Sequence, residues 1–453
     1  MDNSQGLYQY IDFFIRAFTS TSGQVLFFAG MVSLCYVLMA KRGTWVGYSL
    51  LLLTGVASLF QNASQYGVIE QNFSSPTATF LNMSRVIFTA IICVMSFRVV
   101  VGTRNLTRLR VGMSGWSLLI LQIIFALRML MGGDESRAVL SAVMACGLMA
   151  AVYALLSNEL REPSDVRKLQ RAIFAAGAAY VLICTYEYTR SPNNVLQNGR
   201  FTGISGNAQF AGIFMAIQGI TALSLSKDAQ FGRAFRILTG IGAVAFAAFT
   251  FWSGSRTAMG MFLVGIIAVY RAGLVRWLRL AILLVPAFIG FIALFPTTMD
   301  NAGRVTDFTN TREEPFTIAW ETFLKNPAFG DPKFGVVENS YLTVAASTGA
   351  IGVCLLLLLI GSHSFELLRA YRFSRREPSV VPVVDYVIGM TIALAAGAMF
   401  EGFLLGYATA SIVFVYMTLA LTRFVNNYCA ETLGMGEAAS GQMEMSPALL
   451  AQA

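Results

Sequence analysis

From Gln24 to Leu421 the chain returns repeatedly to apolar runs about as long as a bilayer is thick, and no other feature limits its folds so strongly. A helix needs roughly 20 apolar residues to cross the hydrocarbon core. Runs of that kind occupy 24–40, 46–60, 80–101, 113–131, 137–156, 172–188, 204–225, 237–252, 257–270, 280–296, 340–361, 386–405 and 407–421. They predict an all-α polytopic membrane protein of about 12–14 transmembrane helices, the short runs setting the spread. Residues 1–428 read as one transmembrane helical domain with one large extracytoplasmic loop at 297–339, and 429–453 as a disordered cytoplasmic tail, being small, polar and Met/Ala-rich. The first 23 residues, with apolar side chains at helical spacing around Asp12 and Arg16, read as an interfacial helix.

Composition removes the soluble alternatives. Of 453 residues, 56% are hydrophobic and 12% charged, about half the charge that clothes a soluble surface. A formal charge of +8 could point to nucleic acid. The positive-inside bias of membrane loops explains it more simply, and no nucleic-acid partner is expected. The six cysteines have no paired spacing, so neither a metal site nor a disulfide framework is expected. Met1 to Gly6 carries an acid and no basic run, so the spans themselves are expected to direct insertion.

The loops set the orientation. Loops assigned to the cytoplasm hold 21 of the 32 basic residues, among them Lys41, Arg104, Arg161, Arg233, Arg271 and Arg375. That places the polar stretch from Pro296 to Gly352 outside. It also leaves eleven basic residues where the bias normally removes them.

Three of the eleven sit at comparable depth: Arg200 in NGRFTGISGN, Arg256 in the tight SGSR turn, and Arg312 in the large loop. Arg304 lies in the same loop. Glycine and serine around the first two allow close backbone approach and leave amide groups at helix starts, which favours a phosphate. Guanidinium is also the better fork for phosphate oxygens. Two readings stand: a pyrophosphate clamp at the outer membrane boundary, or arginines that snorkel to lipid headgroups.

Glu338 in VVENSYL lies where the loop meets a helix, so it is either part of a cap, with Asn339-Ser340, or a general base for a sugar hydroxyl. Asp307, Glu313, Glu314 and Glu321 are rival bases, while Glu70, Asp134 and Glu135 read as solvated loop acids. Glu401 in AMFEGFLLG reads as an acid within a span, hence either functional or paired with an outward-facing arginine. His363, the only histidine, falls past a span on the cytoplasmic side as a headgroup-level polar residue. No metal and no cofactor is expected.

With these residues in place, the chain resembles the O-antigen ligase and polymerase superfamily of bacterial inner-membrane glycosyltransferases. GRFTGISGNAQFAG is similar to the family's Arg-x-x-Gly element and WSGSRTAMGMF to its Ser-Arg-small element. RVTDFTNTREEPFTIAWETFLKNPAFGDPKFG is similar to its Arg…Trp…Asn-Pro…Gly loop, and ENSYLTVAASTGAIGV to its Asn-x-Tyr-Leu…Gly-x-x-Gly element. The matches run in order over about Gly199 to Gly352.

The resemblance implies a metal-independent, inverting transfer of glycan from undecaprenyl pyrophosphate to a glycan acceptor, on the periplasmic side of the bacterial inner membrane. It implies clamp roles for Arg200, Arg256 and Arg304, catalytic roles for Arg312 and Glu338, and supporting roles for Asn339, Tyr341, Trp320 and Glu401. Membrane lipids and a chain-length regulator are the further partners implied. Ligases of the family commonly carry His before the Asn, and Glu338 stands there instead, which favours a polysaccharide polymerase. The alternatives are ligation of finished glycan onto a lipid or protein acceptor, and transport of a lipid-linked glycan. A transporter would gather its charges around a midplane cavity and often shows duplicated halves, and neither is visible in the sequence.

Overall fold

The protein is an all-α polytopic membrane protein, seen here in a computed structural model that describes residues 21–60, 73–102, 111–271, 313–405 and 409–432. Among those residues eight helices are long and apolar enough to cross a membrane, and three shorter apolar helices accompany them. The order is α1 Thr21–Arg42, α2 Thr44–Ala57, α3 Ser75–Gly102, α4 Met113–Met131, α5 Glu135–Glu159 and α6 Pro163–Arg190. A hairpin follows, β1 Leu196–Gln197 and β2 Arg200–Phe201. Then come α7 Ala208–Lys227, α8 Arg233–Trp252, α9 Arg256–Val269, α10 Glu313–Lys325, α11 Ser340–Ser374, α12 Val381–Ala398 and α13 Ala410–Thr432. Every run read as a span is helical over most of its described part except 280–296, which lies outside the described residues, as do residues 1–20 of the interfacial segment, 433–453 of the expected tail, and the acids Glu70 and Asp307.

Helix α7 is the centre. It is 83% buried across its most apolar window, against 28% for α8, so α7 is packed all round by protein while α8 faces lipid. Because lipid is as apolar as leucine, close van der Waals fit rather than water exclusion holds such helices together. The α9–α12 contact illustrates this: a Cβ placed on Gly389 would lie 2.4 Å from Val269 and 3.0 Å from the carbonyl of Gly265. Only hydrogen at that position lets the two backbones meet.

The two ends of the bundle are fixed differently. At one end, where the basic loops lie, the buried carboxylate of Asp385 binds Arg271 at 2.9 Å and Lys227 at 3.3 Å, tying α12 to α7 and to the end of α9. At the other end, buried Glu187 on α6 accepts from the amide of Ser74 at 3.1 Å and from the side chain of Asn194 at 3.0 Å, and so caps α3 from a distance. That second end carries Arg200 and is called the site end below.

Several boundaries differ from those the sequence predicts. The loop 297–339 is not wholly irregular, because α10 forms within it. Helix α11 runs on to Ser374, which puts His363 inside a helix, buried and bonded to Thr391 at 3.1 Å, rather than at headgroup level. Helix α13 continues to Thr432, past the expected start of the tail, with Cys429 buried. Helix α12 stops at Ala398, so Glu401 lies beyond its end instead of within a span.

Helix α11 is broken at Gly349, whose φ of 64° and ψ of −156° belong to a region open essentially to glycine alone. The Asn326–Asp331 segment is stitched into the break. The amide of Ala350 donates to the carbonyl of Pro327 at 2.8 Å, and the carbonyl of Ala346 accepts from the amide of Asp331 at 2.7 Å. The backbone groups released by the break are thereby satisfied. Gly330, at φ 68°, presses against the same place, where a Cβ would lie 2.5 Å from the carbonyl carbon of Ser347. Gly349→Ala is expected to lower the thermal unfolding midpoint of the purified protein markedly, costing about 2 kcal/mol or more. Gly361→Ala, on the same helix with open space around its Cα, should leave the midpoint unchanged or slightly raised.

Candidate functional site

The hairpin that presents Arg200 follows from two residues. Asn198 and Gly199 both adopt positive φ, 51° and 72°, which is what a two-residue turn of the right twist requires and what the pair Asn-Gly supplies best. Leu196 then pairs with Phe201, and Gln197 with Arg200. Beneath the hairpin Phe201 is buried in an aromatic cluster, stacked on Trp252 at 5.9 Å and packed with Phe249 and Tyr180. Rings from α6, α8 and β2 therefore fix the height of Arg200.

The SGSR turn is built as tightly. Ser253 ends α8, and Gly254 takes positive φ at 59°. Ser255 caps α9 by accepting from the amide of Ala258 at 3.2 Å. Ser253 Oγ donates to the Thr250 carbonyl at 2.6 Å and accepts from the Ser255 amide at 3.2 Å. Arg256 is thus the first residue of α9, exposed, at the positive end of the helix dipole.

The two motifs meet. Arg200 Nε donates to the carbonyl of Ser253 at 2.8 Å, so Arg200 is seated on the turn that presents Arg256. Holding a guanidinium by its Nε sets the plane in which its other N–H groups lie. Two arginines 56 positions apart in sequence are brought to one place.

Beside them stands Glu401, 2% exposed, accepting from Thr257 Oγ1 at 3.4 Å. The segment after α12 that carries it is held by Ser340, the first residue of α11. One hydroxyl makes three contacts there: it donates to the Glu401 carbonyl at 2.7 Å and accepts from the amides of Phe403 at 3.0 Å and Leu404 at 3.2 Å. Asn339 caps α11 by accepting from the Leu342 amide at 2.9 Å, while its Nδ2 donates to the Met399 carbonyl at 2.7 Å. Tyr341 donates to the Ala395 carbonyl at 2.9 Å, a strut between α11 and α12.

With Asn339 doing the capping, Glu338 is left outside the cap, an exposed carboxylate at the mouth of this assembly. The structure therefore joins Arg200, Arg256, Glu401, Asn339 and Tyr341, with Glu338 adjoining. Trp320 stands apart, half exposed on α10 with Phe323 as its ring neighbour at 5.5 Å. Arg304 and Arg312 lie outside the described residues.

Sequence reading missed the contributions of Ser253 and Thr257, and gave Ser340 only as cap chemistry beside Asn339. Ser340 and Thr257 directly follow singled-out residues, but their partners are more than 60 and 140 positions away. Among the described residues no three His, Cys, Asp or Glu side chains gather as metal ligands. The assembly can chemically hold an anion against two guanidiniums and a helix start, and place a carboxylate next to it. No family model and no curated protein matches the chain.

Ser340→Ala would strand the buried amides of Phe403 and Leu404, at about 1–3 kcal/mol for each unpaired group. The expected result is a lower unfolding midpoint together with freer proteolysis after Met399. Ser340→Thr, which keeps the hydroxyl, should recover part of the loss.

Proposed function

We propose that this protein is a glycosyltransferase that uses a polyprenyl-pyrophosphate-linked glycan as donor, and specifically a polysaccharide polymerase of the O-antigen ligase and polymerase type. The observation that carries the reading is the bond from Arg200 Nε to the Ser253 carbonyl. It unites the two Gly/Ser/Arg elements that resemble the family's motifs, at one end of a membrane bundle and at the start of α9.

The chemistry follows from those groups. A sugar hydroxyl of the acceptor attacks the anomeric carbon, the bond from that carbon to the phosphate oxygen breaks, and pyrophosphate departs with its lipid. Charge grows on the leaving oxygen as the bond breaks. Arg200 and Arg256, fixed beforehand, stabilise that charge more in the transition state than in the ground state. Glu338, exposed on the water side and directly preceding the Asn339 cap, takes the hydroxyl proton. Attack opposite the leaving group inverts the anomeric carbon. Glu401, buried against Thr257, holds the first turn of α9 and is a positioning residue.

The membrane assignment of this reading is the bacterial inner membrane, with the site end toward the periplasm. The excess of arginine and lysine at the opposite end supports it. Glu338 in place of histidine is what favours polymerisation over ligation.

The test is purified protein in liposomes supplied with undecaprenyl-pyrophosphate repeat units. A ladder of products supports polymerisation, a single adduct on an added acceptor supports ligation, and neither product defeats the transferase reading. Arg200→Ala and Arg256→Ala are each expected to slow ladder formation by about 100-fold or more. Glu338→Gln is expected to slow it by a comparable factor. Polymerisation at the parent rate in Glu338→Gln would remove that residue from the role of base.

A further inference from the structure

Helix α10 stands apart from the assembly around Arg200, and its surface divides into three sides. Of its 13 residues only Ala319 is buried, with Pro315, Phe316, Thr322 and Phe323 half-buried beside it. At about 100° per residue these form one side, the footing of the helix on the protein. Trp320 and Leu324, one turn apart and 50% and 58% exposed, make an apolar stripe next to that footing. Glu314, Glu321 and Lys325 project about 100° further round and are exposed. Ile318 lies on the charged side as a single exposed apolar residue, which is normal for a surface.

The level of the stripe in the bundle decides what covers it. Helix α4 has 19 residues, about 28 Å at 1.5 Å per residue, close to the roughly 30 Å of a hydrocarbon core. Its end therefore marks the core boundary at the site end. There Arg128 Nη2 donates to the Gly330 carbonyl at 2.7 Å, and a Cβ on Gly132 would lie 2.6 Å from the carbonyl oxygen of Pro332.

Helix α11 gives the same level independently. Gly349, where the Asn326–Asp331 segment is stitched in, stands 20 residues before Arg369, the first arginine toward the opposite end. That is again about 30 Å. Helix α10 ends at Lys325, two residues before Pro327, so its last turn, with Leu324, lies at the boundary and Trp320 is one turn away. Phe329, 60% exposed, adds apolar surface from the stitched segment itself. Tryptophan suits such a level, having an apolar body and one N–H that headgroups or water can satisfy. A helix with charge toward water and an apolar stripe at the boundary lies in the interface.

We propose that the bilayer is the partner of this face: α10 is an interfacial helix whose Trp320 and Leu324, with Phe329 of the following segment, enter the headgroup–acyl boundary of the leaflet at the site end. The large polar loop is thereby tied to the membrane surface where it closes the break in α11. This does not rest on the glycosyltransferase reading, and its test leaves that reading untouched.

The test is tryptophan fluorescence of the full chain in liposomes of phosphatidylcholine, either brominated high on its acyl chains or unbrominated. The difference between the parent and Trp320→Phe isolates the Trp320 signal from the other four tryptophans. That signal is expected to fall at least about twofold in the brominated vesicles and to resist iodide supplied on both sides of the membrane. Leu324→Trp and Glu321→Trp, each compared with the parent, add a ring on the stripe and on the charged side. The first should be quenched by bromine, which keeps the proposal testable if Trp320→Phe does not fold, and the second by iodide alone. Thermal unfolding confirms that each variant is folded. A Trp320 signal that bromine leaves unchanged would overturn the proposal: quenched by iodide the ring is in water, and quenched by neither it is covered by another segment or by a second copy of the chain. Equal bromine quenching of Trp320 and of the ring added in Glu321→Trp would overturn it as well.

Discussion

In a bilayer every backbone N–H and C=O must find a partner within the protein, and the site end is organised by the places where helices cannot supply one. Helix α11 breaks at Gly349, and the Asn326–Asp331 segment replaces the two lost bonds. Helix α12 stops at Ala398, and the hydroxyl of Ser340 collects the amides of Phe403 and Leu404. Helices α8 and α9 are joined by three residues, and the carbonyl of Ser253 among them is taken by Arg200. In each case the partner comes from a distant part of the chain, so satisfying the backbone also assembles the site.

The two ends use their polar groups differently. The opposite end uses charge for cohesion: Asp385 is enclosed by Lys227 and Arg271, and Arg271 also lies 4.4 Å over the Tyr371 ring. Removing one partner from such a buried set leaves an uncompensated charge, so the set behaves as a lock. At the site end the buried acids Glu187 and Glu401 bind hydroxyls and amides. The guanidiniums of Arg200 and Arg256 are carried instead on a hairpin and on a helix start.

Much of this was legible in the sequence. Bilayer-length apolar runs predict spans because length and polarity alone decide them, and the described runs are helical over most of their length. Arg200, Arg256 and Glu401 stood out as charges in places that membrane insertion disfavours. The hairpin could have been found as well, since Asn198-Gly199 between LQ and RF is a strong two-residue turn signal. Where α11 breaks could not, because TGAIG sits inside an apolar run and the break depends on a segment some 20 residues upstream. Glu401 was misplaced into a span for the same reason: Ser340 stabilises the early end of α12, and that pairing is invisible to any local window. Arg304 and Arg312 remain readings of the sequence alone.

Under the proposed transferase reading, the geometry also bears on which carboxylate would act as base. A general base must reach the acceptor hydroxyl and exchange its proton with water after each transfer. Glu401 is buried, oriented by Thr257, and covered by the chain that Ser340 holds in place. Moving it toward a substrate would break the bonds that build the site. Glu338 has the opposite character, being exposed, with the cap of α11 supplied by its neighbour Asn339. On the proposed reading, exposure at the water side beside the anchored Asn339 cap favours Glu338 over the buried Glu401 as the base.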